Sequence, residues 1–235
     1  MLSHLEKMPP RAIRRWGGIA IAAWLVLMIA SLQANLYTAF GIELLVLPLP
    51  LGGFFVFWLS KAGFRTARER IAEAAATGAS RLDLSDLCLT SLPPEIGQLT
   101  ALQKLRLGNN ALTTLPPEIG QLTALQQLHL GNNPSLTSLP PEIGQLTALQ
   151  ELDLRNSRPS ESPVGLTCLP PEIGQLTALK ELDLRGNSLT RLPTEIGQLT
   201  ALEELRLDGN GLRSPPRKVV RQGVDAIRAY LREPR

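Results

Sequence analysis

The chain has 235 residues, of which 44% are hydrophobic and only 4% aromatic, and its formal net charge is +3. The charge is uneven, because residues 1–70 hold eight Lys and Arg against three Asp and Glu, whereas residues 71–235 hold sixteen against eighteen. The pI of 9.1 therefore reflects the N-terminal segment. It does not indicate a nucleic-acid-binding domain, which would carry its own basic face.

Two apolar runs follow a basic N-terminus, residues 1–15. The first run, 16–32, contains no charged residue, and the second covers 44–59. Because a soluble helix rarely extends so far without a polar face, residues 16–60 are predicted to form a two-segment transmembrane helical hairpin, with spans at about 16–36 and 42–60. Arg and Lys flank the hairpin and are absent from its connection. The positive-inside rule then predicts a multi-pass protein of the inner or plasma membrane, with its C-terminal part facing the cytoplasm.

Two features leave alternatives open for this segment. Pro48 and Pro50 remove backbone donors inside the second span. They predict either a kink or a helix that begins after Pro50, in which case a re-entrant hairpin replaces the second crossing. The first run also has the three regions of a cleaved signal peptide, with an Arg cluster, an apolar core and the residues SLQA.

An internal repeat dominates the rest of the sequence. The string LPPEIGQLTAL begins at residues 92, 115, 139 and 169, and it returns as LPTEIGQLTAL at 192. Between these strings runs the pattern L-x-x-L-x-L-x-x-N-x-L, as in Leu102, Leu105, Leu107, Asn110 and Leu112. Repeats of this length indicate a solenoid in which each coil buries its leucines only by stacking on its neighbours.

These residues resemble the leucine-rich-repeat family over residues 79–213. The resemblance implies an α/β repeat fold, a leucine-rich-repeat solenoid of about six coils. Its short strands form a parallel sheet on the concave side, and a turn and a convex segment follow each strand. The Asn of each repeat is expected in the turn, where its amide bonds backbone groups of adjacent coils.

Departures from the pattern mark the least regular coils. Leu87 stands where the first Asn is expected, and Ser157 stands there in the fourth repeat. A polar, proline-rich insertion, residues 155–165, follows and is predicted to be a loop at the solenoid edge, either a tolerated excursion or a binding element.

Helical caps are predicted at both ends of the solenoid. Residues 64–78 are rich in helix formers and stop at Gly78. Residues 214–235 begin with Ser-Pro, and Val220, Val224, Ile227 and Leu231 then fall at helical spacing, which predicts one C-terminal capping helix.

The flanking sequences ARERIAEAAATGASRLDLS and SPPRKVVRQGVDAIRAYLRE resemble those around the repeats of bacterial Roco-type proteins. In that family the second flank leads into a Ras-like GTPase domain. No G-x-x-x-x-G-K-[ST] phosphate loop occurs in this sequence, so the resemblance implies the recognition arm without the GTPase domain.

Residues typical of catalysis or metal binding are few. His129 is predicted at an outward strand position as a solvated residue, and Cys88 and Cys168 are interpreted as small apolar fillers too far apart for a disulfide. The repeated glutamates lie at one repeat position and indicate a solvated convex column or the first turn of a short helix. The sequence therefore predicts no enzyme, no cofactor and no metal site.

The outward positions of the strands are the candidate protein-binding residues. The outward residues of the first coils are mostly basic, and those of the later coils are both acidic and basic. A surface of this kind suits a charged protein partner. The alternative is a set of ordinary solvated strand residues. These candidates are Arg81, Asp83, Lys104, Arg106, Gln127, His129, Glu151, Asp153, Arg155, Glu181, Asp183, Arg185, Glu204, Arg206 and Asp208.

Four hypotheses for function follow from the sequence. The first is a non-catalytic scaffold or adaptor that binds a protein partner on the concave face and the lipid bilayer through residues 16–60. The second, from the Roco resemblance, is a separated regulatory arm that binds a GTPase in trans. The third is an enzyme, which the lack of an assembled site disfavours. The fourth is a relic that folds and binds nothing. A nucleic-acid partner is not expected.

Overall fold

The computed structural model describes residues 51–156 and 165–233, and within the first helix it describes side chains from residue 62 onward. Residues 1–50, which include the basic N-terminus, the predicted first span and the start of the second, lie outside the described residues. So do residues 157–164 of the predicted insertion. None of the helices in the described ranges combines the length and the apolar character that crossing a bilayer requires.

Six short strands form one curved parallel sheet, in which each strand pairs with the next along the chain. Each strand has three residues with a leucine in the middle, and these leucines are in register across the sheet. The prediction of six coils with a parallel sheet is therefore confirmed. The strands are β1 (Arg81–Asp83), β2 (Lys104–Arg106), β3 (Gln127–His129), β4 (Glu151–Asp153), β5 (Glu181–Asp183) and β6 (Glu204–Arg206).

The convex side is built from five short 3-10 helices. Each lies in the repeated P-[PT]-E-I-G-Q string, follows a proline and carries a glutamate in its first turn. A 3-10 turn is compact enough to repeat once per coil without spreading the coils apart. The five are Pro94–Gln98, Pro117–Gln121, Pro141–Gln145, Pro171–Gln175 and Thr194–Gln198.

The core is a continuous column of leucine and isoleucine between the sheet and the 3-10 helices. Leu105, Leu128, Leu152 and the 3-10 residue Ile119 are fully buried. A side chain of this size contributes about 1.5–3 kcal/mol when removed from water. Because most contacts join one coil to the next, the stabilisation belongs to the stack and not to a single coil.

Glycine in each 3-10 helix lets the convex segments approach closely. A Cβ at Gly120 would lie 2.7 Å from the carbonyl oxygen of Glu142 in the next coil, and Gly144 would meet the Glu172 carbonyl at the same distance. Backbone atoms cannot move away as a flexible side chain can. The repeated I-G-Q step therefore sets the spacing of the coils on the convex side.

Asparagine side chains tie neighbouring coils together inside the stack. The Asn110 amide donates to the carbonyls of Leu84 and Leu107, both at 2.9 Å, and its oxygen accepts from the backbone N–H groups of Leu87 and Leu89 at 3.1 and 3.0 Å. One side chain therefore satisfies four backbone groups of two coils. Asn133, Asn187 and Asn210 bridge their coils in the same way, which confirms the predicted role of this position.

One helix, α1 (Leu51–Thr77), leads into the solenoid. It runs across the boundary that the sequence places between the second span, 42–60, and the N-terminal cap, 64–78. Ala67, Ile71 and Ala74 are buried and lie four or three residues apart, as one helical face requires. The helix contacts β1 and the first 3-10 helix, and it is followed by Gly78 at φ 63°. The buried face of this helix therefore packs against the first coil.

The C-terminal cap differs from the prediction of a single helix. Two helices are present, α2 (Arg217–Val220) and α3 (Val224–Arg232), separated by Gly223 at φ 93°. A left-handed residue breaks the helical path, so Val220 does not share a helix with Ile227 and Leu231. Only these last two side chains are buried, and α3 packs against the last 3-10 helix.

Two arginines of α3 close the end of the stack. Arg228 donates to the carbonyls of Leu199 and Thr200 at 3.0 and 2.9 Å, and Arg232 donates to the Gly197 carbonyl at 2.7 Å. These carbonyls belong to the last convex segment, which has no further coil beside it. The arginines of α3 therefore supply the hydrogen-bond donors that these carbonyls accept.

The interpretation of the two cysteines as apolar fillers is wrong. Cys88 and Cys168 are both free thiols, and both are exposed. Cys88 adopts φ 53° in the turn that follows β1, and a turn at the edge of the solenoid presents its side chain to solvent.

Replacing Asn110 by alanine is expected to lower the free energy of unfolding by about 2–4 kcal/mol, since several buried backbone groups lose their partners at once. Chemical denaturation monitored by circular dichroism measures this change. Gln103→Ala removes an exposed amide in the same coil and is expected to change stability by no more than about 0.5 kcal/mol. Equal effects of the two substitutions would show that the asparagine bonds do not hold the coils together.

Candidate functional site on the concave face

The sheet arranges its outward side chains in three columns that run across the coils. Within a strand, residues on either side of the buried leucine point away from the core, and the parallel register places equivalent residues of successive coils side by side. All fifteen predicted binding residues lie in these columns. The first column is Arg81, Lys104, Gln127, Glu151, Glu181 and Glu204. The second column is Asp83, Arg106, His129, Asp153, Asp183 and Arg206. The third column is Ser85, Gly108, Gly131, Arg155, Arg185 and Asp208.

The first column changes sign along the solenoid. Its first two members, Arg81 and Lys104, are cationic, and its last three, beginning at Glu151, are carboxylates. Parallel strands lie about 4.8 Å apart, so like charges are neighbours within each half. The face therefore carries a positive end and a negative end.

The second and third columns neutralise much of their own charge. The guanidinium of Arg185 donates from Nε to Asp183 Oδ1 at 2.9 Å and from Nη2 to Asp183 Oδ2 at 2.6 Å. Arg206 lies 3.6 Å from the same carboxylate. The Asp183 hydrogen bond raises the pKa of Arg185 above its ordinary value. Because Asp183 is only 9% exposed, the ion pairs among Asp183, Arg185 and Arg206 form part of the structure of the sheet.

A second bidentate pair lies at the end of the sheet. Arg206 donates to both oxygens of Glu204, at 2.6 and 2.8 Å, and this hydrogen-bonded carboxylate raises the pKa of Arg206. Glu181, between Glu151 and Glu204 in the first column, is exposed, and none of the ion pairs of the described residues includes it. Among the carboxylates of this face, Glu181 and the exposed Asp208 are therefore the two outside the ion pairs of the described residues.

His129 lies between two carboxylates of the next strand. Its Nε2 is 3.7 Å from Glu151 Oε1, and its Nδ1 is 3.8 Å from Asp153 Oδ2. The side chain is 23% exposed, and Nε2 is buried with no hydrogen-bond partner among the described residues. The prediction of an outward position is confirmed, but the side chain is less solvated than predicted because its neighbours cover it.

The pKa of Asp153 is held below its ordinary value. Burial acts in the opposite direction, but the nearby His129, the backbone N–H of Arg155 at 3.1 Å and the charge of the Arg155 guanidinium together outweigh it. The pKa of Asp83 is lowered in a similar way, against burial, by its hydrogen bonds from Ser85 and by the positive charge of Arg106. Both carboxylates therefore stabilise the folded sheet in their ionised form.

The charged side chains at the positive end of the face are less involved in ion pairs than those at the negative end. Arg81 and Arg106 are exposed, and Lys104 is half-buried. Arg106 lies 3.8 Å from Asp83, a distance at which an exposed pair contributes little. The third column adds no charge here, since its first three members are Ser85 and two glycines. Sequence reasoning named the charged residues of the face but missed which of them neutralise one another.

Within the described ranges, no group of three or more His, Cys, Asp and Glu side chains is placed to hold a metal ion. The face instead offers hydrogen-bonding and charged groups on a rigid sheet, which suits recognition of a complementary surface.

The repeat region matches leucine-rich-repeat family models. Residues 81–166 match a model described as a leucine-rich repeat region, and residues 164–212 match one described as a leucine rich repeat. Residues 81–212 are therefore leucine-rich repeats. No curated protein matches the chain.

Several solved structures are similar to the chain. A leucine-rich-repeat protein of Leptospira interrogans is 40% identical over 55% of this chain and 43% of its own, with a TM-score of 0.33. The leucine-rich-repeat ectodomain of an Arabidopsis thaliana receptor kinase is 26% identical over 57% and 68%, with a TM-score of 0.41. An internalin from Listeria monocytogenes is 23% identical over 53% and 34%, with a TM-score of 0.41. The chain thus spans less than half of the Leptospira and Listeria proteins.

Acidification is expected to destabilise the solenoid in part through Asp153. Because its pKa in the folded state lies below the ordinary 3.8, its stabilising effect is complete above that value and is lost as the pH falls through the folded-state pKa. Denaturant titrations between about pH 6 and pH 2.5 follow this loss. The Asp153→Asn variant is expected to start with a lower free energy of unfolding and to lose less of it on acidification. An unchanged pH slope in the variant would contradict this role of Asp153.

Proposed function

Because residues 81–212 are leucine-rich repeats, a fold typical of protein–protein interaction modules, we propose that the chain is a membrane-anchored, non-catalytic scaffold that binds a protein partner on its concave face. The observation that supports this most strongly is the sign change along the first column. Charge arranged by position on a rigid sheet can select both a partner and its orientation.

The available charge on the face is concentrated at its two ends. Asp153 and Asp183 are bonded to arginines of the same sheet, so a partner that displaced those bonds would have to replace them. Within the first column, Arg81 and Lys104 in the first two coils and Glu151 and Glu181 in the fourth and fifth coils are the groups on which a partner gains most. We propose these four as the residues that determine partner choice, with the bonded aspartates as their support.

Membrane attachment is proposed from the sequence of residues 16–60, with the repeats on the cytoplasmic side. A hairpin anchor would confine the solenoid to the bilayer surface and raise its effective concentration near other membrane components. Cytoplasmic orientation follows from the Arg and Lys residues that flank the apolar runs.

Partner capture from detergent-solubilised native membranes tests the proposed surface. The informative variant is Glu151→Lys with Glu181→Lys, which reverses two charges of the first column and leaves the bonded aspartates intact. The matched control is Glu118→Lys with Glu142→Lys, which reverses two glutamates in neighbouring 3-10 helices of the convex side. Circular dichroism establishes that both variants remain folded.

We expect the wild type and the convex control to capture the same protein, and the concave variant to capture at least tenfold less of it. Capture of a Ras-like GTPase would support the regulatory-arm hypothesis as the specific form of this function. Equal capture by all three proteins would place the working surface elsewhere and overturn the proposal.

A further inference from the structure

The end of the chain carries a cationic segment that the proposed concave site does not use. Arg213, Arg217, Lys218 and Arg221 lie within nine residues, and all four are exposed. In the part of the chain that the structure describes, none of them takes part in an ion pair. The first carboxylate after them is Asp225, which already bonds Arg228.

The fold presents this segment at one end of the solenoid. Residue Ser214 makes the last bridge to the stack, opposite Arg191, and the chain then enters α2. No residue of α2 is buried, and its packing partner is α3. Val219 and Val220 of α2 are half-buried and pack against the core. The charged side chains of Arg217, Lys218 and Arg221 are exposed and are available for a contact.

The spacing of these cations matches the acidic half of the first column. Arg221 continues the helical turn of α2, with φ −68° and ψ −18°, so Arg217 and Arg221 lie one turn apart on the same side. Side chains in that relation are about 5–6 Å apart. The carboxylates of Glu151, Glu181 and Glu204 recur from strand to strand at about 4.8 Å. One cation can therefore face each of two neighbouring coils.

We propose that the cationic segment, residues 213–221, of one chain docks on the acidic half of the concave face of a second copy. This inference rests on the proposed function in one respect, namely that the concave face is an interaction surface, and it assigns that surface a partner. The charges that meet are Arg217, Lys218 and Arg221 on one copy and Glu151, Glu181 and Glu204 on the other. Glu204 is already bonded to Arg206 of its own sheet, so Glu151 and Glu181 contribute most to the contact.

The two surfaces belong to different parts of the molecule, so the contact is heterologous. Each copy offers its cationic segment to one neighbour and its concave face to another. Such contacts generate a ring when the rotation closes and an open chain when it does not. Clustering on a shared bilayer would favour the contact by raising the effective concentration.

Charge exchange tests this contact in the full chain, held in a mild detergent and followed by sedimentation velocity. One variant carries Arg217→Glu, Lys218→Glu and Arg221→Glu, and a second carries Glu151→Lys, Glu181→Lys and Glu204→Lys. A third carries all six changes. The control is Glu118→Lys, Glu142→Lys and Glu172→Lys on the convex side, which matches the second variant in charge and number.

We expect the wild type and the convex control to associate at low ionic strength and to dissociate in about 0.5 M salt, where charges are screened beyond a few ångströms. Each three-residue variant is expected to associate at least tenfold more weakly by itself. A mixture of these two variants is expected to regain association, because the unchanged cationic segment of the second variant meets the unchanged acidic face of the first. The six-residue variant is expected to regain association, which a misfolded protein would not do.

A wild type that stays monomeric at about 100 µM in low salt, or a six-residue variant that fails to recover association, would overturn the inference. The capture experiment is independent of this result. If a different protein is captured through the concave face while the chain does not self-associate, the proposed function stands and the second copy is the wrong occupant.

Discussion

The solenoid depends throughout on the contact between one coil and the next. A single coil of 23 to 30 residues has leucines on its inner side and nothing of its own to bury them against. Stacking supplies the missing apolar surface, and Asn110 and its equivalents supply donors and acceptors to backbone groups that the stack takes out of water. The two requirements are met by the same geometry, because a coil at the distance that closes the leucine core is also at hydrogen-bond distance from the asparagine amide.

That geometry forces the surface into columns. When coils repeat in register, any charge placed at an outward strand position acquires a neighbour of the same repeat position about 4.8 Å away. On the convex side the consequence is five glutamates at one repeat position, of which Glu95 is bonded to Arg68 of α1 at 2.8 Å. On the concave side the second and third columns carry opposite charges within each of the last three coils, as at Asp183 and Arg185, and this pairing relieves the repulsion within the sheet. In the first column Glu204 is bonded to Arg206, whereas Glu181 lies outside the ion pairs of the described residues and carries charge that a partner can use.

The sequence was sufficient to predict the elements that depend on periodicity. The positions of the leucines determine which residues point inward, and the asparagine position follows from them, so the six strands, the parallel sheet and the outward residues could all be predicted. The helix formers of residues 64–78 and the stop at Gly78 predicted a helix before the first coil, and Ala67, Ile71 and Ala74 are the residues that this helix buries.

Features that depend on local backbone conformation or side-chain direction could not be predicted in this way. Gly223 adopts φ 93° and divides the C-terminal cap, although the apolar spacing of Val220 and Val224 continues across it. Cys88 is exposed because the turn at φ 53° directs it outward. The pairing of Arg206 with both Glu204 and Asp183 depends on the direction of one long side chain, which no sequence pattern encodes.

In the proposed function, the glutamates of the first column, and not those of the convex side, contact a protein partner. Zero-length carboxyl-to-amine cross-linking in native membranes, with identification of the linked peptides by mass spectrometry, measures this directly, since the convex glutamates are an internal control on the same chain. We expect intermolecular links from Glu151, Glu181 or Glu204 to a lysine of the bound protein, and few or none from Glu118, Glu142 and Glu172. Links that are equally frequent on both faces, or confined to the convex glutamates, would rule out this mode of binding.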